Sequence, residues 1–130
     1  MQPDIEIYIK HIEATKLAEC LRQLFNHTEL EKLTQTNFDA GRACTVFVET
    51  EANRIEVFIN PHAAGKLYCS VWFRSAHTGW ENDLACAEAF FKCLDHEIRC
   101  SSTTWTESEV EGAEKWWVLT KDEKKLVPWR

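Results

Sequence analysis

Thiol and imidazole groups are the side chains of this sequence whose spacing could hold a metal ion. Cys93, His96 and Cys100 lie close together in the chain. Cys86 precedes Cys93 by one heptad, so positions 86, 93 and 96 would be neighbours along a helix, and imidazole and thiolate suit zinc. A strand that begins near Ile98 would carry Cys100 away from this group, and buried free cysteine more commonly acts as a small hydrophobe. We therefore predict no metal site and no cofactor.

Signatures of catalysis are missing from the sequence. It has no glycine-rich phosphate loop, no Gly-x-Ser-x-Gly and no His-Glu-x-x-His, the patterns that place phosphates, nucleophiles or zinc in many enzymes. His62 could approach Cys69 in space, and His77 could approach a loop carboxylate, but scattered histidines are more often surface residues. No catalytic residue is predicted, and we favour a role other than catalysis.

The net charge indicates which class of partner the protein can bind, and the cysteines indicate the cellular compartment. Fifteen Lys+Arg against 21 Asp+Glu give a net charge of −6, which opposes binding to nucleic acid and to anionic membranes and suits a basic partner. No apolar stretch is long enough to span a bilayer, and the first residues lack the pattern of a secretory signal. The six cysteines include no Cys-x-x-Cys pair and fall in predicted regular elements, which disfavours a disulfide framework. We expect a soluble cytoplasmic protein of one domain, residues 1–130.

Hydrophobic periodicity predicts the order of the elements. Apolar residues alternate with polar ones in the predicted strands and recur at every third or fourth position in the predicted helices. The pattern predicts strands over 4–10, 43–49, 55–59, 67–73, 98–104, 115–120 and 126–129, helices over 13–26 and 79–96, and loops over 35–41 and 106–113. The polar links that join the second, third and fourth strands are short, so these strands are expected to form an antiparallel meander.

Two capping-box patterns indicate where helices begin. Thr28 and Glu31 predict a short helical turn after the first helix. Thr78 and Glu81 predict the start of the second main helix, with Trp80 in its first turn. The main elements follow the order β-α-β-β-β-α-β-β, and each main helix has a single apolar stripe. We therefore predict a two-layer α+β sandwich, in which a mostly antiparallel sheet carries both main helices on one face.

A two-layer sandwich leaves the second face of its sheet without helices, and aromatic side chains are predicted there. The odd-numbered positions of the third and fourth strands are mostly aliphatic or small, so we place them against the helices, and the even positions then point the other way. One of the adjacent Trp116 and Trp117 must join them. Aromatic residues among charged ones are typical of a binding surface. The predicted protein-binding residues are Phe58, Tyr68, Trp72 and Trp117, with Glu56 and Arg74 at the rim.

These observations favour a small soluble protein-interaction module, such as an inhibitor, an immunity-type protein or an adaptor. Its partner would be another protein or a second copy of the chain. The alternative is a small-molecule-binding or enzymatic domain with a pocket between helices and sheet, near Trp80, His77 and Cys69. A third interpretation is that the acidic loop and the C-terminal segment cover the aromatic face, with Trp105 and Trp129 as plugs.

Overall fold

One antiparallel sheet and three helices account for the described part of the chain. The computed structural model describes residues 4–75, 77–101 and 115–128. The helices are α1 (Ala14–Leu24), α2 (Gln35–Asp39) and α3 (Asp83–Cys93). The strands are β1 (Ile5–Lys10), β2 (His27–Glu29), β3 (Cys44–Glu49), β4 (Arg54–Ala64), β5 (Tyr68–Phe73), β6 (Ile98–Ser101), β7 (Lys115–Leu119) and β8 (Lys124–Pro128). The loop predicted over 106–113, the end of the strand predicted over 98–104, and the side chains of Trp105 and Trp129 lie outside the described residues.

Helices α1 and α3 pack on one face of the sheet, which confirms the predicted α+β sandwich. The strands pair in the order β2-β3-β4-β5-β1-β6-β7-β8, so β1 lies between β5 and β6. Alternate strand residues such as Ile7 and Val71 are fully buried, and they share one core with Leu17 and Leu21 of α1 and Phe90 of α3. Burial of such side chains contributes about 1.5–3 kcal/mol each. No helix among the described residues is long and apolar enough to cross a membrane.

The segment between α1 and β3 differs from the prediction. The capping box at Thr28 and Glu31 is wrong, because Thr28 lies in β2 and pairs with Val48. The helical turn comes later, in α2, within the stretch predicted as a loop. Thr34 caps it, since its Oγ1 accepts a hydrogen bond from the Asn37 amide at 3.1 Å. That bond satisfies one of the amides that the start of a helix leaves unpaired.

Strands β3, β4 and β5 form the predicted meander. Phe58 in β4 lies between Thr45 in β3 and Trp72 in β5. Strand β4 is longer than predicted, because it continues through Pro61 instead of ending before it. The register between β4 and β5 shifts after Asn60, and an irregularity of this kind is where a strand tolerates proline.

Helix α3 begins later than predicted. The Oγ1 atom of Thr78 accepts a hydrogen bond from the Trp80 amide at 3.2 Å, and Gly79 has a φ of +96°, which a helix does not allow. The residue that caps α3 is Asn82, whose side chain accepts from the Ala85 amide at 2.8 Å. The predicted capping box is therefore wrong, and Trp80 precedes the helix.

Three aromatic rings surround that of Phe73, which is fully buried. The Phe73 ring centroid lies 5.8 Å from that of Phe25, 5.3 Å from that of Trp80 and 5.9 Å from that of Phe90. Tilted and edge-to-face arrangements of this kind suit the charge distribution of aromatic rings. The cluster joins β5, the end of α1, the segment before α3, and α3 itself. Trp80 therefore packs against the core although it lies outside the helix.

Replacing Phe73 with alanine is expected to lower the free energy of unfolding by about 3–5 kcal/mol, because the cavity would strip contacts from three other rings. Urea denaturation followed by circular dichroism measures the change. Leu67→Ala is the control, since Leu67 is 45% exposed and its truncation should cost less than about 0.5 kcal/mol. Equal losses for the two variants would contradict the role given to the cluster.

The cysteines behave as core residues in this fold. All six thiols are free, and five of the side chains are buried, whereas Cys93 is half-buried. Burial, reinforced by nearby carboxylates, raises the pKa of Cys100 to about 12. Burial likewise raises the pKa of Cys69 and of Cys86. A thiol that stays protonated at neutral pH is a poor nucleophile and a poor metal ligand.

Thiol labelling at neutral pH is expected to modify Cys93 first in the folded protein, because its side chain alone among the six is not buried. Mass spectrometry of the labelled peptides identifies the site. In denaturant under non-reducing conditions all six thiols should react. A count below six would show a disulfide and would contradict the free-thiol state.

Candidate functional site

The far face is the side of the sheet turned away from α1 and α3. Successive side chains of a strand point to opposite faces, so the burial of Val57 and Phe73 against the helices turns Phe58 and Trp72 to the far face. Phe58 and Trp72 are direct cross-strand partners, and their rings stand edge to face with centroids 6.3 Å apart. Both side chains are half-buried. They form an aromatic pair that solvent reaches.

An arginine covers the tryptophan of this pair. The guanidinium carbon of Arg74 lies 4.8 Å from the centroid of the Trp72 ring. The Nη1 atom of Arg74 also lies 3.6 Å from a carboxylate oxygen of Glu56, and the two charged side chains are 44% and 42% exposed. The two predicted rim residues therefore contact each other, and Arg74 also contacts the aromatic pair.

A second arginine covers a second aromatic ring on the same face. The guanidinium carbon of Arg54 lies 3.9 Å from the centroid of the Phe47 ring, and its Nη2 atom lies 2.8 Å from Glu29 Oε1. Phe47 and Arg54 are not among the residues predicted from the sequence. The short link between β3 and β4 brings Arg54 opposite Glu49. This link is the feature of the sequence from which the proximity of Arg54 and Phe47 could have been predicted. We call Phe47, Phe58 and Trp72, with Arg54 and Arg74, the aromatic patch.

Tyr68 lies on the far face but is not an exposed anchor. Its side chain is 7% exposed, and its hydroxyl donates to Glu97 Oε2 at 2.8 Å. The guanidinium carbon of Arg99 lies 5.3 Å from the centroid of its ring. Burial, with the hydrogen bond to Glu97, raises the pKa of Tyr68 to about 12. Tyr68 is therefore largely covered within this chain, and its role as a binding anchor stays a prediction.

Trp117 lies on the helix side of the sheet, so its predicted place on the far face is wrong. It pairs with the buried Cys100 and packs against the core. Lys124 Nζ lies 5.4 Å from its ring centroid. Its neighbour Trp116 points to the far face instead, where its ring meets Tyr8 edge to face at 5.7 Å. The pairing of β7 with β6 decides this assignment, and that pairing cannot be read from residues 115–120 alone.

A network of carboxylates and hydroxyls joins β1, β5 and α3. The Ser70 hydroxyl, which is buried, donates to the Glu6 carboxylate. The Glu6 amide donates to Asp83 Oδ1 at 3.2 Å. Burial, followed by the charge of Glu6 and a hydrogen bond to it, raises the pKa of Tyr8 to about 12. Burial also raises the pKa of Asp83 to about 6, and the Glu6 amide opposes this only in part.

Metal ligation is available at one place among the described residues. The donor atoms of His27, Glu29 and Glu49 lie within 4.8 Å of one another at the edge of the far face. Glu29 already forms the ion pair with Arg54, whose positive charge opposes a second cation. The cysteine group considered from the sequence is not assembled, since His96 Nδ1 lies 3.2 Å from the Lys10 carbonyl and Cys100 is buried in β6.

Trp80, His77 and Cys69, near which the alternative hypothesis places a pocket, lie in different surroundings. Trp80 packs against phenylalanine rings, Cys69 is buried and His77 is exposed. A groove of about 520 Å³ lies elsewhere, between α3 and the turn from β7 to β8. Phe91 and Leu119 line it, together with lysine and carboxylate side chains of both elements. Its charged groups have both signs, so it favours no single class of ligand.

Asp83→Asn is expected to change the pH dependence of stability. The pKa of Asp83 is higher in the folded protein, at about 6, than the usual value of about 3.9 in an unfolded chain. The folded state therefore binds more protons between these values, and the contribution of Asp83 to stability falls as pH rises from about 4 to about 6. Asparagine removes this loss and keeps an acceptor for the Glu6 amide. The difference in unfolding free energy between variant and parent, measured by urea denaturation across this range, should shift in favour of the variant as pH rises. A constant difference would contradict the assignment.

The aromatic patch is thus a feature of the far face that combines half-buried aromatic rings, charged groups and defined contacts. It contains three of the six residues selected from the sequence (Phe58, Trp72 and Arg74), and it adds Phe47 and Arg54. None of its side chains is a nucleophile, and its rings and guanidinium groups can offer apolar contacts and hydrogen-bond donors. Comparison with protein-family models, with curated proteins and with solved structures found no match to this chain.

Proposed function

We propose that this chain is a small cytoplasmic protein-interaction module that binds another protein through the aromatic patch. The observation that carries the proposal is that two half-buried aromatic rings, Trp72 and Phe47, are each covered by an arginine that also contacts a glutamate. An inhibitor, an immunity-type protein and an adaptor all work by such recognition.

The residue types of the patch are those that contribute most to protein–protein binding. Tryptophan, tyrosine and arginine dominate the few interface residues whose truncation costs 2 kcal/mol or more. Arginine and aromatic residues are also enriched at interfaces relative to the rest of the surface. Trp72 and Phe58 would enter an apolar centre on the partner, and Arg74 and Glu56 would surround it.

The contacts within the patch also reduce the cost of binding. Immobilising a flexible side chain at an interface ordinarily costs about 0.5–1.5 kcal/mol. Arg74 is held between Trp72 and Glu56, and Arg54 between Phe47 and Glu29, before any partner arrives. Each stacked arginine gains about 0.5–1 kcal/mol from its ring at an exposed site. A partly ordered surface of this kind favours a specific partner.

Charge and thiol state support the remaining parts of the proposal. The net charge of −6 disfavours nucleic acid and anionic membranes as partners. The two arginines of the patch each form an ion pair with a neighbouring glutamate, Glu29 or Glu56, so a protein partner with charges of both signs suits this surface. Six free thiols are expected in a reducing compartment such as the cytoplasm.

Trp72→Ala is expected to weaken capture of the partner by about 30-fold or more, because truncation of a central interface aromatic typically costs at least about 2 kcal/mol. Immobilised parent and variant are compared for retention of proteins from the native host, and the retained protein is then titrated by calorimetry. Leu126→Ala is the matched control, since Leu126 is 46% exposed and lies beside Trp117 on the helix side.

Two measurements keep this test decisive. Circular dichroism must show that Trp72→Ala remains folded, and a folded variant that binds the partner as tightly as the parent would contradict the proposal. Light scattering gives the oligomeric state of the parent and the variant. A dimer that Trp72→Ala dissociates would identify a second copy of the chain as the partner.

A further inference from the structure

A polar cavity at one end of the sheet lies apart from the aromatic patch. It has a volume of about 290 Å³ and is bounded by the residues after β1, by α2, and by β4 with the turn that follows it. Its polar lining residues are His11, Gln35, Asp39, His62 and Lys66. We call it the histidine cavity. The sequence predicts scattered surface histidines. The structure instead brings two of the five, His11 and His62, to one cavity with Asp39 and Lys66.

The backbone places His11 and Lys66 on the same side of this cavity. His11 has a φ of +58°, a left-handed conformation that residues other than glycine adopt infrequently. Its amide donates to the Leu67 carbonyl at 2.8 Å, so the end of β1 is tied to the turn that carries Lys66. The surrounding structure thus holds His11 in a conformation that a free chain would seldom adopt.

A glycine makes room for the second histidine. Gly41 follows α2 with a φ of +71°, and a Cβ atom built there would lie 2.3 Å from Nδ1 of His62. Only glycine allows the imidazole this position. The amide of His62 also donates to Asn60 Oδ1 at 3.3 Å, within the stretch where the register of β4 and β5 shifts. The position of His62 is therefore restricted both by the hydrogen bond of its backbone amide and by the close approach of Gly41 to its ring.

Hydrogen bonding leaves the cavity with a surplus of donors. Asp39 Oδ1 accepts from Gln35 Nε2 at 2.9 Å, and Gln35 Oε1 accepts from the Ala14 amide at 3.0 Å. Within the described ranges, the rings of His11 and His62 and the ammonium of Lys66 have no hydrogen-bond or ion-pair partner. Each neutral imidazole offers one N–H donor and the ammonium offers three. Groups of this kind bind oxyanions through charge-assisted hydrogen bonds.

We propose that the histidine cavity binds the oxyanion group, a phosphate or a carboxylate, of a small molecule. Lys66 supplies the charge and donates to the anion, while His11 and His62 donate from either side. The carboxylate of Asp39 faces the same space and accepts from a hydroxyl or amine of the ligand. The volume of about 290 Å³ is at the lower end of small-molecule pockets, which suits an anionic group with a short organic part.

Titration with inorganic phosphate and, separately, with acetate tests the proposal. Amide and imidazole resonances are followed by NMR in the full chain at neutral pH, with chloride used to hold the ionic strength constant. At least one anion is expected to give saturable shifts at the residues around His11, His62 and Lys66, with millimolar affinity. The anion that binds more tightly identifies the class of ligand. Absence of saturable shifts with both anions up to about 50 mM, a concentration at which even millimolar binding would saturate, would overturn the proposal.

Variants of the exposed and half-buried lining residues separate this site from nonspecific charge effects. Lys66→Gln and His62→Gln are each expected to weaken binding by about tenfold, the usual effect of losing one charge-assisted hydrogen bond. Lys121→Gln and His77→Gln are controls of the same type at other exposed positions and should leave the affinity unchanged. Equal affinity in all four variants would overturn the proposal. Trp72→Ala should bind the anion as the parent does, so this outcome is independent of the aromatic patch.

Discussion

Burial of the Phe73 ring determines the direction of its neighbour, Trp72. Phe73 is enclosed by rings from α1, from α3 and from the segment between β5 and α3, and a strand turns consecutive side chains to opposite faces. The same cluster that holds the two layers together therefore presents the tryptophan to solvent on the other side of the sheet. A slip of one residue in β5 would reverse both side chains, and the cost of exposing Phe73 excludes it.

Contacts on the far face repeat one arrangement on neighbouring strands. In each case an arginine lies over an aromatic ring and reaches a glutamate, which in one case belongs to β2 and in the other to β4. Exposed ion pairs alone contribute little to stability. Their effect here is geometric, because each glutamate contacts an arginine whose guanidinium group lies over a ring and so restricts the positions that the arginine can adopt. The sheet thus offers a surface whose shape does not depend on a partner.

Sequence periodicity was sufficient for the main elements and insufficient for their ends and pairings. Strand β1, helix α1 and the meander follow from apolar spacing, since burial of one face leaves few alternatives. Both predictions of a helix start from a capping-box pattern were wrong. Thr28 pairs with β3 instead of starting a helix, and the left-handed backbone of Gly79 prevents a helix from starting at Thr78. Trp117 was assigned to the wrong face because residues 102–114 separate β6 from β7, and a connection of this length leaves the register undetermined. The histidine cavity depends on backbone hydrogen bonds between residues distant in sequence, which no spacing rule predicts.

The two edge strands of the sheet, β2 and β8, are poorly suited to pairing with a strand of another chain. Strand β2 has three residues, and β8 carries two lysines and ends in a proline that has no amide hydrogen to donate. Short, charged or proline-containing edges resist the addition of a further strand. Backbone pairing, which recognises almost any extended peptide and leads to aggregation, is thereby disfavoured at both ends. In the proposed interaction, selectivity among partners would accordingly depend on the shape and charge of side chains.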